Sequence, residues 1–241
     1  MVKTILLIMF FVVSVTVSAV AADKPFGGEG EIGIMITSGN SDTESVNGKI
    51  GITYETERLI NAADFSWLYK SEKNKETGDH QASAQKHEGS IKTGLKFTEK
   101  DYAFIRGAYL NDRFSGYHYQ NTVSAGYGRK LITGDRVNLT VELGPGYRYD
   151  KRRTGGSEED AIFRVSGRFS LQLTETAAFS QDLSVETGED KTITQSISAI
   201  SAQIVGALAM KLSYTIDRQS DVPADNEKTN TETALTLVYG F

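Results

Sequence analysis

The residues that could do chemistry come in distinct groups. His80, His87 and His118 lie in or near polar stretches that also hold Asp79, Asp112 and Ser115. A hydrolase uses such side chains as base, orienting carboxylate and nucleophile. No nucleophile motif accompanies them, and polar residues are ordinary in connecting loops, so a barrel lipid hydrolase or protease is the least favoured reading and the chain is read as no enzyme. Segments 38–44 ("SGNSDTE"), 155–160 ("GGSEED") and 221–227 ("DVPADNE") offer the oxygen ligands that hard cations take. They lack the spacing of a calcium loop, and solvated loops are expected. A divalent ion bridging lipopolysaccharide is the sharper alternative; no metal site or cofactor is assigned. "GEGEIG" (28–33) has the G-x-G-x-x-G spacing of a dinucleotide cradle, which needs a strand before it and a helix after it. Here Ile32, Ile34 and Ile36 keep a strand period through the motif, which argues against nucleotide binding. The largest group is different in kind: charged residues at every second position of otherwise apolar alternation.

That alternation defines the elements. In "VNLTVELGPGYRYD", Val137, Leu139, Val141, Leu143, Pro145, Tyr147 and Tyr149 share one phase, while Glu142, Arg148 and Asp150 share the other. "AIFRVSGRFSLQL" and "ALAMKLSYTID" repeat the pattern. Period two over such lengths is the signal of a strand with two unlike faces. Twelve strands are expected, at 29–37, 44–55, 60–71, 82–98, 101–112, 118–132, 136–150, 160–173, 177–187, 192–203, 207–218 and 230–241. Their connections alternate. "TERL", "TEKD", "TGD", "TET" and "IVG" are tight, whereas "SEKNKETGDHQ", "RFSGYH", "KRRTGGSEED" and "RQSDVPADNEK" are long and polar. A soluble sandwich need not sort its loops by end. An outer-membrane barrel does, with an even strand number, short periplasmic turns and longer outer loops. The expected fold is therefore all-β: a twelve-stranded antiparallel up-and-down transmembrane β-barrel.

The two ends of the chain fit that compartment. Lys3, the apolar run 4–17 and "SAVAA" at 18–22 form a basic region, a hydrophobic core and a small-residue cleavage site. Residues 1–21 are read as a cleaved signal peptide and 22–241 as the barrel. The chain has no cysteine, so disulfides and thiolate metal sites are excluded, and its net charge of −5 is no footprint for nucleic acid. At the other end, "TETALTLVYGF" alternates Leu235, Leu237, Tyr239 and Phe241 with smaller residues. A last strand ending on an aromatic resembles the signal by which barrel-assembly machinery recognises its clients, carried here by Leu237, Tyr239 and Phe241.

In a barrel the charged phase lines the lumen. Lys86, Lys92, Lys96, Arg106, Glu142, Arg148, Arg164, Arg168, Asp182, Glu186, Lys211 and Asp217 are the expected lining. Bases concentrate on the fourth to eighth strands and acids on the rest, which predicts a basic wall facing an acidic one. Such walls select ions in a pore, or they meet as an ion-pair plug if the lumen is narrow. Pro145 cannot donate to a ladder, so a bulge or bend is expected there, with Gly144 and Gly146 widening the bore. Gln181 and Gln195 are assigned to the lipid face. Either they hydrogen-bond each other or lie near the rim, or they form part of a homo-oligomer contact.

Several stretches resemble one family: "TSGNSDTESVNGKI" (37–50), "NDRFSGYHYQ" (111–120), "GYGRKL" (126–131), "GPGYRYDK" (144–151), "MKLSYTI" (210–216) and "TETALTLVYGF" (231–241). They are similar to the YdiY-type family of salt-induced outer-membrane proteins, historically a domain of unknown function. The resemblance spans nearly the whole mature chain. It implies an outer-membrane location and brings no catalytic or ligand residues with it. The expected function is a passive porin-like channel for small polar or charged solutes. The alternative is a structural or envelope-stress barrel with an ion-paired, closed lumen. Both termini are expected in the periplasm, with outer-membrane lipid and lipopolysaccharide as surroundings and the barrel-assembly machinery as a partner during biogenesis.

Overall fold

The computed structural model describes residues 25–37, 43–73, 77, 79–222 and 226–241. Residues 1–21, expected from sequence to be a signal peptide, lie outside the described residues. The strands are β1 (Phe26–Thr37), β2 (Thr43–Glu55), β3 (Leu59–Lys73), β4 (His80–Lys96), β5 (Asp101–Asp112), β6 (Tyr117–Thr133), β7 (Val137–Arg152), β8 (Ser157–Gln172), β9 (Ala177–Thr187), β10 (Thr192–Val205), β11 (Leu208–Gln219) and β12 (Thr229–Gly240). Each pairs antiparallel with its sequence neighbours, and β1 meets β12, so the sheet closes into a barrel. Closure pairs the backbone groups that an open sheet edge would leave bare in hydrocarbon. The fold class is the expected one, and every strand boundary falls within three residues of its expected place.

Ladder register sorts the side chains. The inward phase is odd-numbered on β1, β2, β10 and β11, and even-numbered on β3 to β9 and β12. The outward phase carries Ile32, Ile50, Leu143, Phe163, Leu212 and Leu235, among others, and Ile91 there is 66 % exposed. A continuous exterior of bare aliphatic groups is stable against lipid, not water. Aromatic rings flank this band. Tyr109, Tyr119 and Tyr149 stack at 6.3 and 6.1 Å toward one end. Phe26 with Phe241 (6.2 Å) and Phe169 with Phe179 (6.3 Å) mark the end where β1 begins and β12 ends.

The final residue closes the seam. Phe241 donates its backbone N–H to the Gly28 carbonyl and accepts from the Gly28 N–H, both at 2.9 Å. A Cβ at Gly28 would lie 2.4 Å from the Phe241 ring, so only glycine leaves room for that ring.

Three details differ from the expectation. The long connections are shorter than their polarity implies: β7 and β8 continue to Arg152 and from Ser157, leaving a turn at 153–156 in which Gly155 and Gly156 take φ of 98° and 85°. Strand ends that project past the apolar band keep their ladder while their side chains turn polar. No bulge forms at Pro145. β7 and β8 run in unbroken register through Pro145↔Phe163, and on the β6 side Ser124↔Gly146 and Tyr127↔Leu143 lie on one continuous register. Gly126 and Gly144 instead bring the two backbones together, and a Cβ on either would sit 2.1 Å from a carbonyl oxygen across the ladder. Finally, Gln195 faces inward, not toward lipid. Thr187↔Thr192 sets the β9–β10 register, so outward residues are odd on β9 and even on β10. Gln181 does face outward, but its amide is satisfied by Ser196 and Ser198, which removes the reason to pair it with Gln195.

Candidate functional site: the barrel lumen

All twelve residues assigned to the lumen from sequence occupy the inward phase, and Leu237, Tyr239 and Phe241 the outward one. The inward charges are brought together as ion pairs rather than held apart as two walls. Near the tight turns, Glu55 Oε1 accepts from Lys96 Nζ and Lys130 Nζ at 2.5 Å each. Glu142 anchors the middle: it pairs with Lys92, accepts from the Tyr102 hydroxyl at 2.7 Å and faces Arg164 at 3.7 Å. Arg164 also reaches Glu186 (3.5 Å), and Arg168 pairs with Asp182 (2.6 Å). Lys211 meets Glu31 at 2.6 Å. Lys86 and Asp217 come from strands on facing sides of the ring and meet at 2.8 Å, a bar across the bore, with Gln195 donating to the same carboxylate at 2.9 Å.

Tyr102 and Phe104, only 2 % and 3 % exposed, share the inward face of Arg106. They lie where β6 and β7 carry glycines; a Cβ at Gly128 would strike the Tyr102 ring at 2.3 Å. The glycines therefore do not widen the bore. Gly128 makes a flat bed for the Tyr102 ring, a shelf beside Glu142, while backbone across the ladder closes the space at Gly126, Gly144 and Gly146.

The loop end holds a buried network that sequence reasoning missed. Arg148 and Asp150 are each 1 % exposed. Arg148 Nη2 donates to Asp160 Oδ2 at 3.0 Å, and Lys191, from the 188–191 connection, sets Nζ 2.6 Å from Asp150 Oδ2 and 3.0 Å from the Tyr117 hydroxyl. The Glu189 backbone N–H donates to Asp160 Oδ1 at 3.0 Å, so the connection is pinned to the wall of β7 and β8. Burial alone would lower the pKa of Lys191, but Asp150 and the Tyr117 hydroxyl outweigh it and hold the ammonium above the usual lysine value. Parity gave no usable signal, because Lys191 shares the phase of Gln195, which the sequence pattern assigns to the lipid face.

A cavity of about 740 Å³ occupies the loop-end half of the lumen, bounded by Lys86, Arg106, Arg148, Arg164, Glu186 and Asp217 among others. Toward the tight turns, the Arg168 side chain is 70 % exposed, so solvent enters that half too.

The other candidate groups are scattered. His118 sets Nδ1 3.3 Å from an Arg153 nitrogen, while His80 opens β4 and His87 sits within it. No cluster of three or more metal-ligating side chains occurs among the described residues. "GEGEIG" lies inside β1. Of the oxygen-rich loops, 38–42 and 223–225 lie outside the described residues.

Known proteins resemble the chain at two levels. The NanC porin superposes with a TM-score of 0.50 at 8 % identity, over 89 % of this chain and 98 % of that one. An outer-membrane channel from Pseudomonas putida F1 gives 0.50 at 12 % identity, over 90 % of this chain and 95 % of that one. Likeness at such identity is one of fold, that of Gram-negative outer-membrane barrels. The uncharacterized protein YdiY of Escherichia coli (strain K12) is closer in sequence, 30 % identical over 222 residues, covering 92 % of this chain and 85 % of that protein. A family model described as a protein of unknown function, DUF481, matches residues 30–241, and the chain belongs to that family.

Proposed function

We propose that the protein is a narrow outer-membrane channel for small polar or charged solutes, with its termini and tight turns in the periplasm. The observation that carries this reading is a charged interior that solvent enters from both halves: a cavity of about 740 Å³ on the loop side and a 70 % exposed Arg168 side chain on the other. The Lys86–Asp217 bar and the Tyr102–Glu142 shelf narrow the bore between them. Ion pairs of this kind set conductance and selectivity in pores.

Single-channel recording of purified, refolded protein tests this. The wild type should conduct weakly, and Lys86→Ala or Asp217→Ala should raise the conductance by removing the bar. Silence in the wild type and in both variants would reject the channel. The paired charges and the Tyr102–Phe104 shelf would then favour a closed structural barrel.

A further inference from the structure

Among the inward-facing cations of the described residues, Arg106 alone ends without a carboxylate or a hydrogen-bond acceptor, although it lines the cavity. Its surroundings hold several buried polar atoms whose hydrogen bonds are unmade. Ser124, its partner in the β5–β6 register, is 2 % exposed with its hydroxyl unpartnered. Arg148 Nη1 has no hydrogen-bond acceptor, Arg148 Nε and Arg164 Nε face carboxylates only at 3.4 and 3.5 Å, and Gln120, which lines the cavity and is 5 % exposed, leaves both amide atoms unmet. Buried donors without acceptors cost free energy until an acceptor arrives. The facing wall is reversed in character: Glu232 makes no hydrogen bond or close ion pair among the described residues, with Lys86 and Asp217 nearby.

We propose that this wall binds the carboxylate of a small monocarboxylate solute whose other end carries hydrogen-bond donors. A guanidinium presents its N–H groups in a planar fork that matches a carboxylate. Charge sets the valence. Arg148 is answered by Asp150 and Asp160, and Arg164 by Glu142 and Glu186, so Arg106 is the surplus cation. One negative charge satisfies it. A second would meet Glu186, Asp217 and Glu232, whose oxygens call instead for hydroxyls or an ammonium. The cavity volume of about 740 Å³ is that of a site for a sugar-sized solute. The assignment rests on the solvent-filled lumen proposed above.

Titration calorimetry on the refolded, detergent-solubilised protein tests it with gluconate as probe, and with sorbitol, which lacks the carboxylate, and inorganic phosphate as comparisons. Gluconate should bind, sorbitol far more weakly. Arg106→Gln should weaken gluconate by at least about tenfold, as expected for a lost charge-assisted hydrogen bond. Arg106→Lys, which keeps the charge without the fork, should fall between. Equal binding of sorbitol and gluconate, or no gluconate binding, would overturn the site, and neither comparison needs a variant to fold. Unchanged affinity in folded Arg106→Gln would overturn the role of Arg106, and tighter phosphate binding would overturn the carboxylate assignment. Calorimetry requires no ion flow. Gluconate binding in a silent barrel would leave the site standing and reject the channel; conductance without binding would do the opposite.

Discussion

Alanine at Gly144 puts the meeting of β6 and β7 to a quantitative test. The new Cβ would lie 2.1 Å from the Ala125 carbonyl oxygen and 2.6 Å from the Gly126 Cα, both backbone atoms that cannot swing aside. Reaching an ordinary contact of 3.4 Å means parting the strands by roughly 1.3 Å at that level. Overpacking of this kind costs about 1–3 kcal/mol. Stretching a ladder hydrogen bond adds about 1 kcal/mol, so a loss of roughly 3 kcal/mol is expected. Gly144 is not among the positive-φ glycines, so backbone strain contributes nothing and the whole effect is one of space. Gly30→Ala is the control, because a Cβ there meets nothing within 4 Å; its effect should stay within about 0.5 kcal/mol. The assay is urea unfolding in lipid vesicles followed by fluorescence of Trp67, the chain's single tryptophan. Equal stabilities for Gly144→Ala and Gly30→Ala would refute the close approach of the two strands.

Lys191→Met should lower stability by about 3 kcal/mol, measured in the same unfolding assay, because it leaves the buried Asp150 carboxylate with only Arg148 Nε, at 3.4 Å, as its cation. Since the folded ammonium titrates above the usual lysine value of 10.5, its contribution should be constant through neutral pH and disappear only as pH climbs beyond that value. Orientation is checked by cysteine scanning. Gly155→Cys should react with an impermeant maleimide in intact cells and Gly134→Cys should not, and reversed labelling would invert the barrel.

The alternation that makes a strand legible is strict wherever one phase is aliphatic and the other charged, as on β7 and β8, and there the faces could be read directly. It failed on β10. In "TITQSISAISAQIV", Ile193 and Ile197 share one phase while Ile200 and Ile204 share the other. Local sequence could not choose between them. The choice is made by neighbours: Ile197 stands opposite Asp182, and Gln195 opposite Asp217. A slip of one residue would exchange every side chain on the strand between lumen and lipid. Pro145 was misread for a related reason. Gly144 and Gly146 were read as opening lumen space, whereas Gly144 and, across the ladder, Gly126 let β6 and β7 approach without a shift of register. The Lys191 network was illegible because it joins residues from three strands and a turn, and no spacing along the chain records that. Arg106 was read as one charge of a basic wall. Only the partners found by its neighbours make it the unpaired one.

The interior ion pairs also bear on how the ring closes. Ladder pairing between β1 and β12 is brief, from Glu29↔Gly240 to Ile32↔Leu237, whereas β1 and β2 pair along their whole length. The seam is reinforced by contacts that exist only when the barrel is shut. Lys211 reaches past β12 to Glu31 at 2.6 Å, and the Thr236 hydroxyl approaches the other oxygen of that carboxylate at 3.4 Å. The Glu31 side chain is 8 % exposed, so leaving it without its lysine would be costly. On the lipid side the Phe241 ring covers Gly28 and packs against Phe26. Lys86 and Asp217, on facing strands, likewise meet only in the closed ring. An open sheet would expose these charges singly and a misregistered one would bury them unpaired. The lumen charges thus act on closure as well as on solute, and short pairing at the seam is tolerated because side chains on both faces complete it.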